Sequence, residues 1–194
     1  PQRAWELLAS IDRTILGDGR IKLDLGYNFV QKVQDRVPTP EGFDAPGNLG
    51  NGTEFSAVGN LDLPLGRFGM KGGRLSLYGS YLKSAVRDPY TDRWRPFSGY
   101  SLFYFTAELR QDLGRFAWSL SAQGSTHSIT YRLDELDWYT GVLPVVNGFV
   151  EYRPDRHWTL SLGARNLLDL TAREQRSFFT PNRTASFPDA YELR

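Results

Sequence analysis

Residues 21–29 read IKLDLGYNF, a stretch in which apolar side chains alternate one by one with polar or small ones. A β-strand points successive side chains to opposite faces, so this period of two predicts a strand with one apolar face. The same alternation returns in residues 53–65, 75–84, 103–110, 116–123 and 158–165. The repetition predicts an all-β fold.

Two further strands are predicted on weaker patterns. Residues 5–15 alternate less regularly, and we expect a strand there rather than a short amphipathic helix. A strand ending near Tyr152 is expected to pair with residues 158–165 around a short turn. The chain is therefore expected to contain about eight or nine strands.

Short turns and long links alternate along the chain. The short turns are predicted at residues 17–19, 66–73, 112–114 and 153–156, and the long polar links at 34–52, 86–99, 125–141 and 169–188. In an up-and-down antiparallel meander, alternate connections lie at opposite ends of the sheet, so one end should be tight and the other should carry long loops. Transmembrane β-barrels have this asymmetry, and we expect this chain to be part of one.

Composition excludes several classes of function. The chain has 23 Lys and Arg against 22 Asp and Glu, so no basic field favours a nucleic-acid partner. Cysteine is absent, which excludes disulfides and thiolate zinc sites. The only histidines, His127 and His157, have no second ligand at metal-binding spacing, and no catalytic triad is recognisable. We therefore expect neither an enzyme nor a bound metal or cofactor.

The orientation of the strands is predicted from the composition of their two faces. Mean hydropathy is −0.44 and no apolar run approaches the roughly 20 residues of a membrane helix. Aromatic residues lie near strand ends on the apolar face, as in the aromatic girdles of membrane barrels. Seven residues are expected on the convex, lipid-facing surface: Tyr27, Phe29, Phe103, Phe105, Phe116, Trp118 and Leu160.

A family resemblance enters at residues 162–169, which read LGARNLLD. Asn166, Leu167, Leu168 and Asp169 resemble the Asn-Leu-Phe-Asp element near the C-terminus of TonB-dependent receptors, with Leu168 in place of the aromatic. Residues 149–154 followed by 158–160 are similar to the penultimate hairpin of that family. The resemblance implies an outer-membrane location and contact with lipid. It also implies uptake of a nutrient, such as a ferric siderophore or similar metal chelate, driven by the TonB system through a plug domain.

Residues 1–194 are expected to form a single barrel segment, in which neither the plug domain nor the terminal aromatic strand of that family is recognisable. Two alternatives remain open. The first is a small, self-contained outer-membrane barrel that acts as an anchor or adhesin. The second is a soluble, lipocalin-like binding protein whose apolar face points inward.

One predicted loop has the composition of a binding site. Residues 87–95 read RDPYTDRWR, and arginines and aromatic rings on a loop can hold an anionic ligand through paired hydrogen bonds and stacking. The predicted ligand-binding residues are Arg87, Tyr90, Arg93, Trp94 and Arg95. The alternative is a solvated loop whose charges pair with each other or with lipopolysaccharide.

Overall fold

A computed structural model of the chain describes residues 2–141, 144–185 and 187–194. The strands are β1 (Arg3–Ile15), β2 (Gly19–Gln31), β3 (Gln34–Pro38), β4 (Asp44–Asn48), β5 (Gly52–Pro64), β6 (Gly73–Arg87), β7 (Trp94–Arg95), β8 (Phe103–Leu113), β9 (Phe116–Ser125), β10 (Ser128–Tyr131), β11 (Glu135–Thr140), β12 (Val145–Tyr152), β13 (Leu160–Ala164), β14 (Arg173–Phe178) and β15 (Ala190–Leu193). Among the described residues, no helix is long and apolar enough to span a membrane.

Eight strands form one large sheet in the order β1-β2-β5-β6-β8-β9-β12-β13, and β7 adds to β6. Every pair in this sheet is antiparallel. The predicted antiparallel meander is confirmed, including the weakly patterned strand in residues 5–15. Within the described residues β1 and β13 do not pair with each other, so the sheet is open at both edges.

The strand register gathers the apolar side chains on one face. Leu7 lies opposite Tyr27, and Tyr27 lies opposite Phe55, so the same face is apolar across three neighbouring strands. These side chains are open to the surroundings rather than packed in a closed interior: Tyr27 is 49% exposed and Phe116 is 53% exposed. All seven residues that the sequence assigns to this surface lie on this face.

The opposite face is polar and concave. It lines a cavity of about 830 Å³ that extends from β2 to β9. Cations such as Lys22 and Arg74 alternate there with carboxylates: Lys22 pairs with Asp24 at 2.8 Å and Arg74 pairs with Asp62 at 3.0 Å. The concave face therefore carries charge of both signs, and nearby groups largely neutralise one another.

The end of the sheet formed by the short turns is compact. Gly72 has a φ of 68°, and a Cβ atom there would lie 2.1 Å from the carbonyl oxygen of Asp112 near the end of β8. Only glycine satisfies both the left-handed backbone and this close approach. The turn before β6 thus packs directly against the end of β8, as the predicted tight end requires.

The long connections at the other end are more ordered than the sequence indicated. The first contains the β3–β4 hairpin, the second contains β7, and the last two contribute strands to a second sheet, β10-β11-β14-β15. We call these four segments the cap: residues 32–51, 88–102, 126–141, and 165–185 with 187–194. A small core of Val30, Val33, Val86 and Phe97 anchors the first two segments to β2 and β6. The cap is therefore folded structure attached to the rim of the sheet.

Candidate functional site in the cap

Asp88 organises the second cap segment. Its side chain is buried, and its Oδ1 atom accepts hydrogen bonds from the backbone N–H groups of Tyr90 and Thr91, both at 3.0 Å. This is a turn in which an aspartate side chain replaces a backbone acceptor. The other carboxylate oxygen, Oδ2, accepts from Arg95 Nε at 2.7 Å and from Arg183 Nη2 at 2.8 Å. Asp88 thus fixes its own turn and holds two arginines.

The contacts of these arginines extend to the other cap segments. Arg95 Nη2 donates to Asp35 in the first segment at 2.9 Å, and Arg183 Nε donates to the carbonyl oxygen of Arg132 in the third. The ring of Tyr131 lies 4.3 Å from the Arg95 guanidinium and 5.5 Å from that of Arg183. We call Asp35, Asp88, Arg95, Arg183 and Tyr131 the Asp88 network. It joins all four cap segments.

The Asp88 network is electrically balanced, with two carboxylates and two guanidinium groups. Burial by itself would raise the pKa of Asp88, but hydrogen bonds from Arg183 and from the Thr91 and Tyr90 amides outweigh it and hold that pKa below its usual value. Asp88 is therefore ionised at neutral pH. Burial and the nearby Asp44 carboxylate raise the pKa of Tyr90 to about 12, so its hydroxyl stays neutral.

The five residues predicted to bind a ligand lie in different surroundings. Arg87 forms two hydrogen bonds of 2.6 Å with Asp92 at the surface, and Arg95 is buried in the Asp88 network. The alternative of internal charge pairing therefore describes these two arginines. Tyr90 is half-buried beside Arg183, whereas Arg93 and Trp94 are exposed. Ligand binding by these five residues stays a prediction.

Sequence reasoning did not identify the partners of the loop. Arg183 lies 95 residues after Asp88, and Asp35 lies 60 residues before Arg95. Neither residue belongs to a recognisable motif, and each lies in a long polar link. Only the register of the strands brings them together, because it sets all four cap segments on the same end of the sheet.

Two cavities flank the exposed part of the second segment. One, of about 290 Å³, lies between the second and fourth segments and is lined by Tyr90, Thr91, Arg93, Arg183, Thr184 and Ala185. The other, of about 430 Å³, is mainly apolar and includes Trp94, Phe97, Tyr100 and His127 in its lining. No group of side chains within the described residues is arranged to hold a metal ion.

The segment that resembles the family element forms a closed turn after β13. Asn166 and Asp169 both have a positive φ, near 50°, which asparagine and aspartate tolerate better than most residues. The Asn166 side chain donates to the Leu170 carbonyl oxygen at 2.8 Å and accepts from the Leu170 N–H at 3.1 Å. The side-chain amide of Asn166 therefore forms both hydrogen bonds to the backbone of Leu170 that a residue of a neighbouring strand would form.

Replacing Asn166 with alanine is expected to destabilise this turn by about 1–3 kcal/mol, since two hydrogen bonds and a tolerated left-handed conformation are lost. Glycine at the same position restores only the backbone freedom, so Asn166→Gly should lose less stability than Asn166→Ala. Hydrogen exchange of the Leu170 amide in the two variants measures the difference. Equal protection in both variants and in the wild type would contradict the assigned role of the side chain.

The environment of residues 166–169 gives that element a structural role. It contacts the sheet, since Leu167 N donates to the Val146 carbonyl oxygen at 2.8 Å and Asn166 N donates to the Asn147 side chain at 3.0 Å. The resemblance to TonB-dependent receptors rests on the sequence of this element and of the hairpin before it. Comparison of the chain with protein-family models, curated proteins and solved structures finds no match.

Proposed function

We propose that this chain forms part of the wall of an outer-membrane β-barrel of the TonB-dependent receptor type, which imports a nutrient such as a ferric siderophore or similar metal chelate. The observation that carries the proposal is the eight-stranded meander with one exposed apolar face and one concave polar face. A membrane barrel needs this arrangement, with lipid outside and water inside.

The dimensions of the strands agree with a membrane span. A strand of 13 residues such as β2 is about 43 Å long at roughly 3.3 Å per residue. Tilted by about 45°, it would cross about 30 Å, the thickness of the hydrocarbon core. In water, the apolar face would stay exposed, at a free-energy cost of roughly 25 cal/mol per Å² of apolar surface. Lipid is a partner that covers such a face on every strand at once.

The open sheet supports a section of a larger barrel over a self-contained eight-stranded one. In a closed barrel of eight strands the first and last strands would pair, whereas β1 and β13 each have an unpaired edge within the described residues. The exposed apolar face also disfavours the lipocalin-like alternative, in which these side chains would fill the interior. The ordered cap supplies the recognition surface at the end with long loops.

Cell fractionation tests the proposal. The complete gene that encodes this chain is expressed in a Gram-negative host, and the protein is expected in the outer-membrane fraction, with different gel mobility before and after boiling. Deletion of the gene should reduce uptake of at least one radiolabelled ferric chelate from a panel that includes ferric citrate and a ferric hydroxamate. Deletion of TonB should reduce the same uptake.

Two results would contradict this function in different ways. Recovery of the folded protein in the soluble fraction would contradict the proposal that the chain is part of a membrane barrel. Recovery in the outer membrane, with every chelate taken up normally in both deletion strains, would leave an anchor or adhesin as the better description.

A further inference from the structure

The 290 Å³ cavity between the second and fourth cap segments has an unusual lining for a gap between loops. Two of its six lining residues are arginines, and three others, Tyr90, Thr91 and Thr184, carry hydroxyl groups. The lining contains no carboxylate side chain. A solute in this cavity would therefore contact Arg93 on one side and, on the other, Arg183, whose charge is balanced by Asp88.

The side chain of Arg183 lines this cavity and is held in place by its own contacts. Its Nε atom donates to the Arg132 carbonyl oxygen and its Nη2 atom donates to Asp88, while the rings of Tyr90 and Tyr131 lie 5.2 and 5.5 Å from the guanidinium carbon. Its side chain is only 5% exposed, so it holds one conformation. Within the described residues, the hydrogen bonds of Arg183 use Nε and Nη2, so its Nη1 group can donate to another acceptor.

Arg93 supplies the second positive charge at the mouth of the cavity. It is exposed, and in the described part of the chain no carboxylate lies within ion-pair distance of it. Its neighbours Arg87 and Arg95 are already paired with Asp92 and with Asp88 and Asp35. Arg93 is therefore the cation that the second segment leaves without a counter-ion.

We propose that this cavity binds an anionic oxygen group, a carboxylate or a phosphate, held between Arg93 and Arg183. The exposed, planar guanidinium group of Arg93 can donate two parallel hydrogen bonds to such an anion, and the Nη1 group of Arg183 can donate to it from the other side of the cavity. The inference rests on the proposed function in one respect, since it takes the anion to belong to the imported chelate. It adds a contribution from the fourth cap segment that the loop sequence alone does not indicate.

The test is calorimetric titration of the full-length protein, purified from membranes in detergent, with inorganic phosphate and with citrate, against chloride at matched ionic strength. We expect at least one of the two anions to bind with a dissociation constant of about 1 mM or tighter. Arg93→Gln should weaken this binding at least tenfold, or about 1.4 kcal/mol. Arg173→Gln is the matched control, because Arg173 is an exposed arginine of the fourth cap segment that does not line the cavity.

Normal binding in Arg173→Gln together with the loss in Arg93→Gln would support the site, and the anion that binds would identify the group it accepts. Absence of binding of both anions to the wild type, or equal weakening in both variants, would overturn it. This readout is independent of transport. Unchanged uptake in a protein that binds neither anion would remove the site and leave the proposed function in place.

Discussion

Replacing Asp88 with asparagine is expected to detach the cap segments from one another while the large sheet stays folded. The asparagine side chain still accepts hydrogen bonds from the Tyr90 and Thr91 amides. It leaves the buried Arg183 with no carboxylate partner and the buried Arg95 with Asp35 alone. Breaking a buried ion pair by removing one partner costs about 3–5 kcal/mol. That loss should appear as faster hydrogen exchange throughout residues 88–102 and 126–141.

The control for this experiment is Asp92→Asn, which breaks a surface ion pair between the second cap segment and the end of β6. Arg87 and Asp92 are both exposed, and such pairs contribute about 0–1 kcal/mol. Exchange in the cap should therefore stay close to that of the wild type. If both variants exchanged at the wild-type rate, the Asp88 network would not be what holds the four segments together.

Replacing Ala57 with arginine is expected to impair membrane assembly severely. Ala57 lies near the centre of β5 on the apolar face, between Leu25 and Tyr81 of the neighbouring strands. If lipid covers this face, an arginine near the middle of the bilayer costs about 2–4 kcal/mol. The folded fraction of the full-length protein in lipid vesicles, measured over a urea titration, should fall accordingly.

Val58 offers a matched control because it is the next residue of β5 and points to the concave face, opposite Asp24 and Ser80. An arginine there enters a polar surface with a carboxylate nearby, so Val58→Arg should retain most of the folded protein. Equal folding of the two variants would indicate that water rather than lipid covers both faces. The comparison thus tests the orientation of the sheet separately from its ligand.

The strands of the large sheet could be predicted from sequence because their pattern is local. Each residue from Ile21 to Phe29 is assigned to a face by its immediate neighbours, and the turn at residues 112–114 is defined by three adjacent residues. Antiparallel pairing then follows from the short turns, since they leave each strand no other nearby partner. The structure confirms the strands and their antiparallel pairing, and it places the predicted turn at Gly114 and Arg115 because β8 extends to Leu113.

The cap could not be predicted in the same way. The composition of residues 87–95 indicated an ionic loop, but it could not distinguish exposed Arg93 from buried Arg95, two residues away. The difference depends on Asp35 and Arg183, which are remote in sequence and lie in links without periodicity. Charge pairing across such distances is set by the tertiary structure, so the sequence predicted the residue types and not their partners.

The joining of four distant segments into one cap also determines how other molecules would recognise this end of the protein. The surface around Arg93 contains side chains from positions 90–93 and 183–185, which are nearly a hundred residues apart. A synthetic peptide copied from one segment would reproduce only part of that surface and would lack the partners that shape it. Antibodies raised against the folded protein would therefore recognise a discontinuous epitope, and peptide immunogens would be poor substitutes for it.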